Sequence, residues 1–503
     1  MLLLCKAESE GFEPPDREVN GFQDRRDRPL CQLSGGEINR ILLSGKKNDF
    51  SSEFLLRERR LKDSNYFTFA SCVLIMKEEG LKNPFNLLVI VASLGYFVDI
   101  YDLILFNVVK KESLEALGLG GVGHEGNEIF LFNCQMIGML TGGILWGILG
   151  DKKGRLSVLF GSILLYSAAN IANAFVGDMT SYATVRFIAG LGLAGELGAG
   201  ITLVVETMSA ETRGYGTMLI VTFGALGAVF ASIVGKEGAF FANYLNEHLG
   251  THLVGWQMAY IVGGVLGLFL LLLRLGTIES GMYQRVKSAH VSRGNFFSLF
   301  SSKQIFVKYI SCIFIGLPIW YIIGVLVALS IGLTAEMGIE GAVTGTAIMY
   351  AYIGLSAGDL LSGLLSQYFK SRKKVVIGYL ISSIVLVFIY LFPLTKSLSV
   401  FYFLCFMLGA ATGYWALFVT IASEQFGTNI RSTVTNTVPN FVRGAVVPIT
   451  LLYKALEPMF TGSEHAKVYS ALLVGVVCFG LALFGILSVK ETFNKRLNYI
   501  QES

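Results

Sequence analysis

From Asn86 onward the chain alternates long apolar runs with short polar stretches, and each run is close to the about 20 residues a helix needs to cross a hydrocarbon core. The runs lie near 86–109, 129–150, 156–176, 182–205, 216–234, 256–275, 305–331, 343–369, 375–393, 400–422, 434–456 and 468–489. They predict an all-α polytopic membrane protein with about twelve transmembrane helices. Residues 1–75 differ in kind: they are polar and lack a sustained period, and their longest apolar piece, Phe67 to Met76, is about half a span. That segment is expected to be either disordered or a mis-annotated extension. Gly11-Phe12-Glu13-Pro14 can be encoded by GGG-TTC-GAA-CCC, which contains the T-arm consensus of a transfer RNA gene, so the native start is expected at Met76.

Lys and Arg in short loops resist translocation and therefore orient the spans. One set of loops holds Lys152, Lys153, Arg155, Arg213, Arg285, Lys287, Arg293, Lys303, Lys370, Arg372, Lys373, Lys374, Arg431, Lys490, Lys495 and Arg496. The opposite set has little beyond Lys110, Lys111, Lys236, Lys396, Lys454 and Lys467. The first set is predicted to be cytoplasmic, with both termini. The longest internal connection divides the chain into a six-helix bundle over 76–277, a cytoplasmic linker over 278–304, a second bundle over 305–489 and a tail over 490–503.

Composition agrees with a lipid environment. Of 503 residues, 53% are hydrophobic and 15% charged, and the mean hydropathy is +0.60, which excludes a soluble enzyme. A net charge of +4 is too small for a nucleic-acid footprint. The seven cysteines include no C-x-x-C pair, so neither a disulfide nor a metal is expected. Leu33-Ser34-Gly35-Gly36-Glu37 resembles an ATP-cassette signature, but no G-x-x-x-x-G-K-[ST] loop accompanies it. No cofactor and no covalent chemistry are expected, and the predicted partners are the lipid bilayer, a small-molecule substrate and protons.

The two halves echo each other. V-E-T-M-S-A-E-T-R, with Glu206 and Arg213, follows the fourth run, and S-E-Q-F-G-T-N-I-R, with Glu424 and Arg431, follows the tenth. Gly147, Asp151 and Arg155 after the second run are matched by Gly363, Gln367 and Arg372 after the eighth. Two parallel repeats are implied.

Gly147-Ile-Leu-Gly-Asp151-Lys152-Lys153-Gly154-Arg155 resembles the loop signature of the major facilitator superfamily of transporters. The resemblance covers Asn86 to Thr492 and leans toward the sugar-porter and metabolite-proton symporter branches. It implies that Gly147, Asp151, Lys152, Gly154 and Arg155 latch the bundles together, with Glu206, Arg213, Glu424 and Arg431 in a gating network. Gln367 replaces the second Asp, so that copy of the latch is expected to be weaker. Arg186-x-x-x-Gly190-x-Gly192-x-x-Gly195 is similar to the family's Arg-and-glycine motif, whose glycines allow close helix contact. Neither this G-x-G-x-x-G nor that of Gly118, Gly120 and Gly123 lies in a strand-turn-helix context, which excludes a dinucleotide site. Ile278-Glu279-Ser280-Gly281 and Lys490-Glu491-Thr492 look like eroded sugar-porter motifs, and the hexose element Q-L-S-G is missing at Gly316–Tyr321.

Ionisable residues inside spans are functional candidates by default. Asp102 and Arg186 have similar depths at about 1.5 Å per residue, and Tyr101-Asp102 is similar to the acid that pairs with this Arg in proton-coupled sugar porters. A structural ion pair is the alternative. Asp99, one turn away, either shares a proton or cation with Asp102 or holds a neighbouring helix. Arg443 either faces the cavity, where it suits a carboxylate or phosphate, or neutralises Glu196 or Asp359. Asn440, Trp320, Tyr321, Tyr350, Tyr414 and Trp415 are further candidates for the cavity wall, and Glu196 either joins them or makes an interhelical contact. Asp359 is expected at the bundle interface. The predicted function is secondary transport of a small organic solute, an organic anion being favoured, by proton symport through a monomer in the plasma membrane. An uncoupled facilitator and a non-transporting sensor are the alternatives.

Overall fold

A backbone crossing lipid must satisfy its own hydrogen bonds, and the apolar runs do so as helices. The computed structural model describes residues 83, 85–120, 126–274, 293–460, 462–494 and 500. The readings of residues 1–75, Gly123, Ile278–Gly281, Arg285, Lys287, Lys495 and Arg496 concern residues outside this set.

The first half contains α1 (Leu87–Ala116), α2 (Asn127–Lys153), α3 (Arg155–Asn173), α4 (Met179–Leu193), α5 (Glu196–Thr207), α6 (Arg213–Leu249) and α7 (Gly255–Leu273). In the second half, α8 (Lys303–Tyr321) runs through a π segment, Ile322–Val327, to α9 (Ser330–Met337). There follow α10 (Thr344–Tyr368), α11 (Arg372–Leu391), α12 (Leu398–Thr412), α13 (Trp415–Gln425), α14 (Arg431–Gly444), α15 (Val446–Leu456) and α16 (Ala466–Ser488). Among the described residues no strand occurs. The helices pair α1 with α6 and α2 with α4 in the first half, and α8 with α16 and α10 with α12 in the second. Contacts of α2 with α14 and of α6 with α10 join the halves.

Eleven helices among the described residues are long and apolar enough to span a membrane. The twelfth predicted span is α14 with α15. It is broken at Ala445, and its first piece, R-S-T-V-T-N-T-V-P-N-F-V-R-G, is polar. Every residue of α14 except Phe441 is buried against protein, so no apolar face toward lipid is required of it. Thr435, Asn436, Thr437 and Asn440 each donate to the carbonyl one turn back, which gives their donor groups partners within the helix. The largest departure from the predicted boundaries is α6, which continues past 234 to Leu249. Its 37 residues span about 55 Å at ~1.5 Å per residue, beyond the ~30 Å apolar core, and the part past 234 mixes Lys236, Glu237, Asn243, Asn246 and Glu247 with exposed Phe240, Phe241 and Tyr244.

The repeat is visible in the helix breaks. Between α4 and α5 the break reaches Gly195, eleven residues before Glu206, and between α12 and α13 it reaches Gly413, eleven before Glu424. Glycines also zip equivalent pairs: Gly138 and Gly142 of α2 lie on the backbone of α4, and Gly354 and Gly358 of α10 lie on that of α12. A Cβ at Gly409 would overlap the carbonyl of Ala351, whereas one at Gly378 would meet nothing within 4 Å. Gly409→Val is therefore expected to lower the melting temperature of the detergent-purified protein by roughly 5 °C, with Gly378→Ala unchanged, as a dye-based thermal scan would read.

Candidate functional site

At the basic end of the molecule the two halves are joined by charge. Gly154, with φ 109°, lets α2 turn directly into α3 and brings Asp151 and Arg155 together. Asp151 accepts the backbone N–H groups of Ser432 (3.0 Å) and Thr433 (2.8 Å) and the Thr433 hydroxyl (2.7 Å), so it caps α14 across the interface. A Cβ at Gly147 would stand 2.7 Å from the Thr433 Cα, which explains the glycine there. Glu206 receives Arg155 of its own half at 2.7 Å and Arg431 of the other at 2.9 Å. Glu424 mirrors it, with Arg372 at 2.8 Å from its own half and Arg213 at 2.7 Å from the other. Gln367, in the place of a second Asp, lies against Gly214 and carries no charge to a helix terminus. Lys152 remains exposed beside Gly294.

The chain after α16 fastens to this network. Glu491 accepts the N–H groups of Arg372 (3.1 Å) and Lys373 (3.2 Å) and the Ser371 hydroxyl, while the Lys373 Nζ donates to the carbonyls of Leu487 and Val489 at 3.0 Å. Burial alone would raise the Glu491 carboxyl, but the hydrogen bonds from Ser371, Phe493, Arg372 and Lys373 outweigh it and hold the pKa below the ordinary range.

Midway between the ends, α1 and α14 meet at a small cavity. Arg443, at the last turn of α14, lies 3.6 Å from Asp99 and donates to the Tyr96 hydroxyl at 3.2 Å. Its guanidinium stands over the Trp415 ring at 5.7 Å. The walls are Tyr96 and Ile100 from the first half and Trp320, Tyr352, Leu355 and Trp415 from the second, with Arg443 at the edge. Trp415 opens α13 after the helix break, and Asp359 caps that helix by accepting the Ala416 N–H at 3.0 Å. Asp359 thus works within the second half and not at the bundle interface, because Gly413 lets the α10 backbone press against the break.

The other candidates are distributed differently from the sequence expectation. Asp102 and Arg186 are both buried and near enough for their charges to interact, but they do not touch. Gln135 accepts from Arg186 instead, and Phe106 stacks under the guanidinium at 4.4 Å. Tyr101 donates to the Ala259 carbonyl at 2.8 Å and so ties α1 to α7. Glu196 makes a two-pronged pair with Arg274, away from the cavity wall. Asn440 donates to the Ala194 carbonyl at 2.9 Å, which the α4/α5 break has freed. Tyr321 bonds Ala471, Tyr414 bonds Ile315, and Tyr350 faces outward, stacked on Tyr402. Of the predicted wall, Trp320, Trp415 and Arg443 line the cavity. Tyr96, Tyr352 and Arg274 were missed; Tyr96 lies one turn before Asp99, and Arg274 interrupts the apolar string L-L-L-L-R.

Residues 92–450 match the sequence profile of the Major Facilitator Superfamily. The chain is 25% identical over 361 residues to the 3-(3-hydroxy-phenyl)propionate transporter of Escherichia coli (strain K12), covering 71% of this chain and 84% of that one. It is 30% identical over 209 residues to the niacin transporter of Acinetobacter baylyi, covering 40% and 43%. Among solved structures, the proton:xylose symporter XylE superimposes with a TM-score of 0.62 at 17% identity, over 82% of this chain and 97% of that one.

Two outcomes are expected at the basic end. Glu206→Gln removes the carboxylate that Arg155 and Arg431 share and leaves Arg155 the carboxylate of Asp151 at 3.5 Å, a loss of about 3–5 kcal/mol for a buried pair. In a background without native cysteines, the buried position of Thr435→Cys should then react several-fold faster with a membrane-impermeant maleimide added from that end. Because the Glu491 carboxyl is held low in the folded chain, its stabilisation is full above the ordinary glutamate range and lost as pH falls through its folded value. The difference in melting temperature between the wild type and Glu491→Gln should accordingly shrink on acidification.

Proposed function

The chain belongs to the Major Facilitator Superfamily, and from that premise we propose that it is a symporter which moves a small ring-bearing carboxylate together with a proton. The family and its transporter relatives establish a secondary transporter of small organic solutes with many spans in the plasma membrane. The charge of the solute and the coupled proton are our reading.

The observation that carries it is the Asp99–Arg443 pair, one ion from each half, at the edge of the cavity between them. Neither ion can be left alone in a dry interior without a cost of several kcal/mol. A carboxylate that reaches Arg443 displaces Asp99, and Asp99 must then take a proton. Anion and proton enter together and add no net charge. The aromatic walls from Tyr96, Trp320, Tyr352 and Trp415 suit a planar ring. Relatives named for 3-(3-hydroxy-phenyl)propionate and niacin support a ring carboxylate, and a neighbour named as a proton symporter supports the coupling ion. Asp102 beside Arg186 is a second proton acceptor in the same half. The count of basic residues puts the latched end, and both termini, on the cytoplasmic side. Release of the Glu206 and Glu424 network then opens the cavity inward by rocking of the two halves. A single chain supplies both halves of the site, so a monomer suffices.

The test is uptake into proteoliposomes of labelled nicotinate, benzoate and 3-(3-hydroxyphenyl)propionate, with and without an inward proton gradient. Arg443→Ala should weaken anion binding on the order of 100-fold. Asp99→Asn should bind the anion with no dependence on pH and lose gradient-driven accumulation. Undiminished uptake by Arg443→Ala, or continued accumulation by Asp99→Asn, would sink the reading.

A further inference from the structure

The interior of the first half holds a second set of buried polar groups, and α7 orders them by depth. At Tyr260 a chain of hydroxyls runs to Tyr182 at 2.9 Å and on to Ser113 at 3.0 Å, with Arg186 over the Tyr260 ring. Three residues on, Gly263 faces Asp102, and a side chain there would overlap its carboxylate. One further turn inward, Gly267 faces Ser167 and the Tyr166 ring. Last comes Arg274, paired with Glu196 over Gly95, where again only a glycine fits. Glycines thus stand wherever a polar group of this column needs room.

The middle of the column is unsatisfied. Neither oxygen of Asp102 nor the Tyr166 hydroxyl has a close hydrogen-bond partner, although both residues are at most 1% exposed; the Asn170 amide is the polar group that stands beside the Asp102 carboxylate. Buried groups of this kind are costly and are kept for what they bind or pass on. The charged groups facing Tyr166 are Asp99 and Asp102 from α1, Glu196 from α5 and Arg274 at the end of α7. Those facing Asp102 are Asp99, Arg186, Tyr101, Tyr166 and Tyr260, with Asn170 alongside.

We propose that this column is a proton path separate from the anion cavity, with the Tyr166 hydroxyl passing the proton of Asp102 to Glu196. It rests on the proton-coupled reading above. Asp102 gives its proton to the Tyr166 oxygen as the Tyr166 proton moves to Glu196. Tyr166 is unchanged, Asp102 becomes a carboxylate facing Arg186, and Glu196 becomes neutral and lets go of Arg274. The proton thereby moves toward the latched end while the substrate stays at Arg443.

The experiment uses full-length chain in proteoliposomes and whichever of nicotinate, benzoate and 3-(3-hydroxyphenyl)propionate gives counterflow, an exchange that moves no net proton. Tyr166→Phe removes one hydroxyl and little volume. It is expected to keep counterflow within about twofold while slowing gradient-driven accumulation, and proton entry read by trapped pyranine, at least on the order of tenfold. Glu196→Gln should behave alike, and Ser167→Ala, at the same depth, should lose neither activity. Wild-type accumulation by Tyr166→Phe, or an equal fall in counterflow and accumulation, would overturn the path and leave symport standing. Wild-type flux indifferent to the gradient, or no counterflow with any of the three acids, would instead overturn the symport reading and this path with it.

Discussion

A charge inside a hydrocarbon slab must be met by another charge, and most of this molecule follows from that constraint. Among the described residues, seven arginines, Arg155, Arg186, Arg213, Arg274, Arg372, Arg431 and Arg443, are sealed from solvent. Their partners grade from tight to absent. At the basic end four of them share Glu206 and Glu424, each carboxylate taking one guanidinium from each half. Arg274 has a two-pronged partner in Glu196, and Arg443 has a looser one in Asp99 at 3.6 Å. Arg186 holds only an amide, with Asp102 near but not touching. The tight pairs offset the cost of the charges they bury, whereas Arg443 and Arg186 are left with looser compensation.

Much of the fold was legible because lipid imposes a simple rule on sequence: apolar runs of fixed length, with charges confined to ends or to partners. Most of the twelve runs fall within a few residues of the observed helices, although α1 runs on from 109 to Ala116. Where α6 leaves the apolar slab the rule no longer applies, and the continuation to Leu249, whose apolar residues are interrupted by Lys236, Glu237, Asn243, Asn246 and Glu247, could not be read from hydropathy. The charge network at the basic end was legible as a cluster, because the Glu-to-Arg spacing repeats in both halves and the arginines lie where loops should be.

The pairing of the interior charges was not legible, for a geometric reason. Position along a helix gives depth and face, but not the rotation of a neighbouring helix. Asp102 and Arg186 share a depth, yet α4 turns Arg186 onto Gln135. Asp99, one turn from Asp102, faces the other half and meets Arg443. Asn440 lies one turn from Arg443 but is spent on the carbonyl freed by the α4/α5 break, a feature that hydropathy cannot show. Arg274 had the clearest signal, an arginine in a leucine string, and its importance lies in a partner seventy-eight residues earlier.

The charge network at the basic end and the cavity are joined by two short helices. α14 begins with Arg431, Ser432 and Thr433 at the latch and ends with Arg443 at the cavity, about 18 Å away at ~1.5 Å per residue. α13 carries Trp415 on the cavity wall at one end and Glu424 in the latch at the other. α13 has no internal proline, but α14 carries Pro439, which has no backbone N–H to give the Thr435 carbonyl, so the ladder of α14 is interrupted one turn before Arg443. The break after Gly444 and the break before Trp415 confine each helix to the stretch between latch and cavity. The charge network and the cavity are thus linked along two short helices, of which α13 is uninterrupted and α14 holds a proline one turn before Arg443.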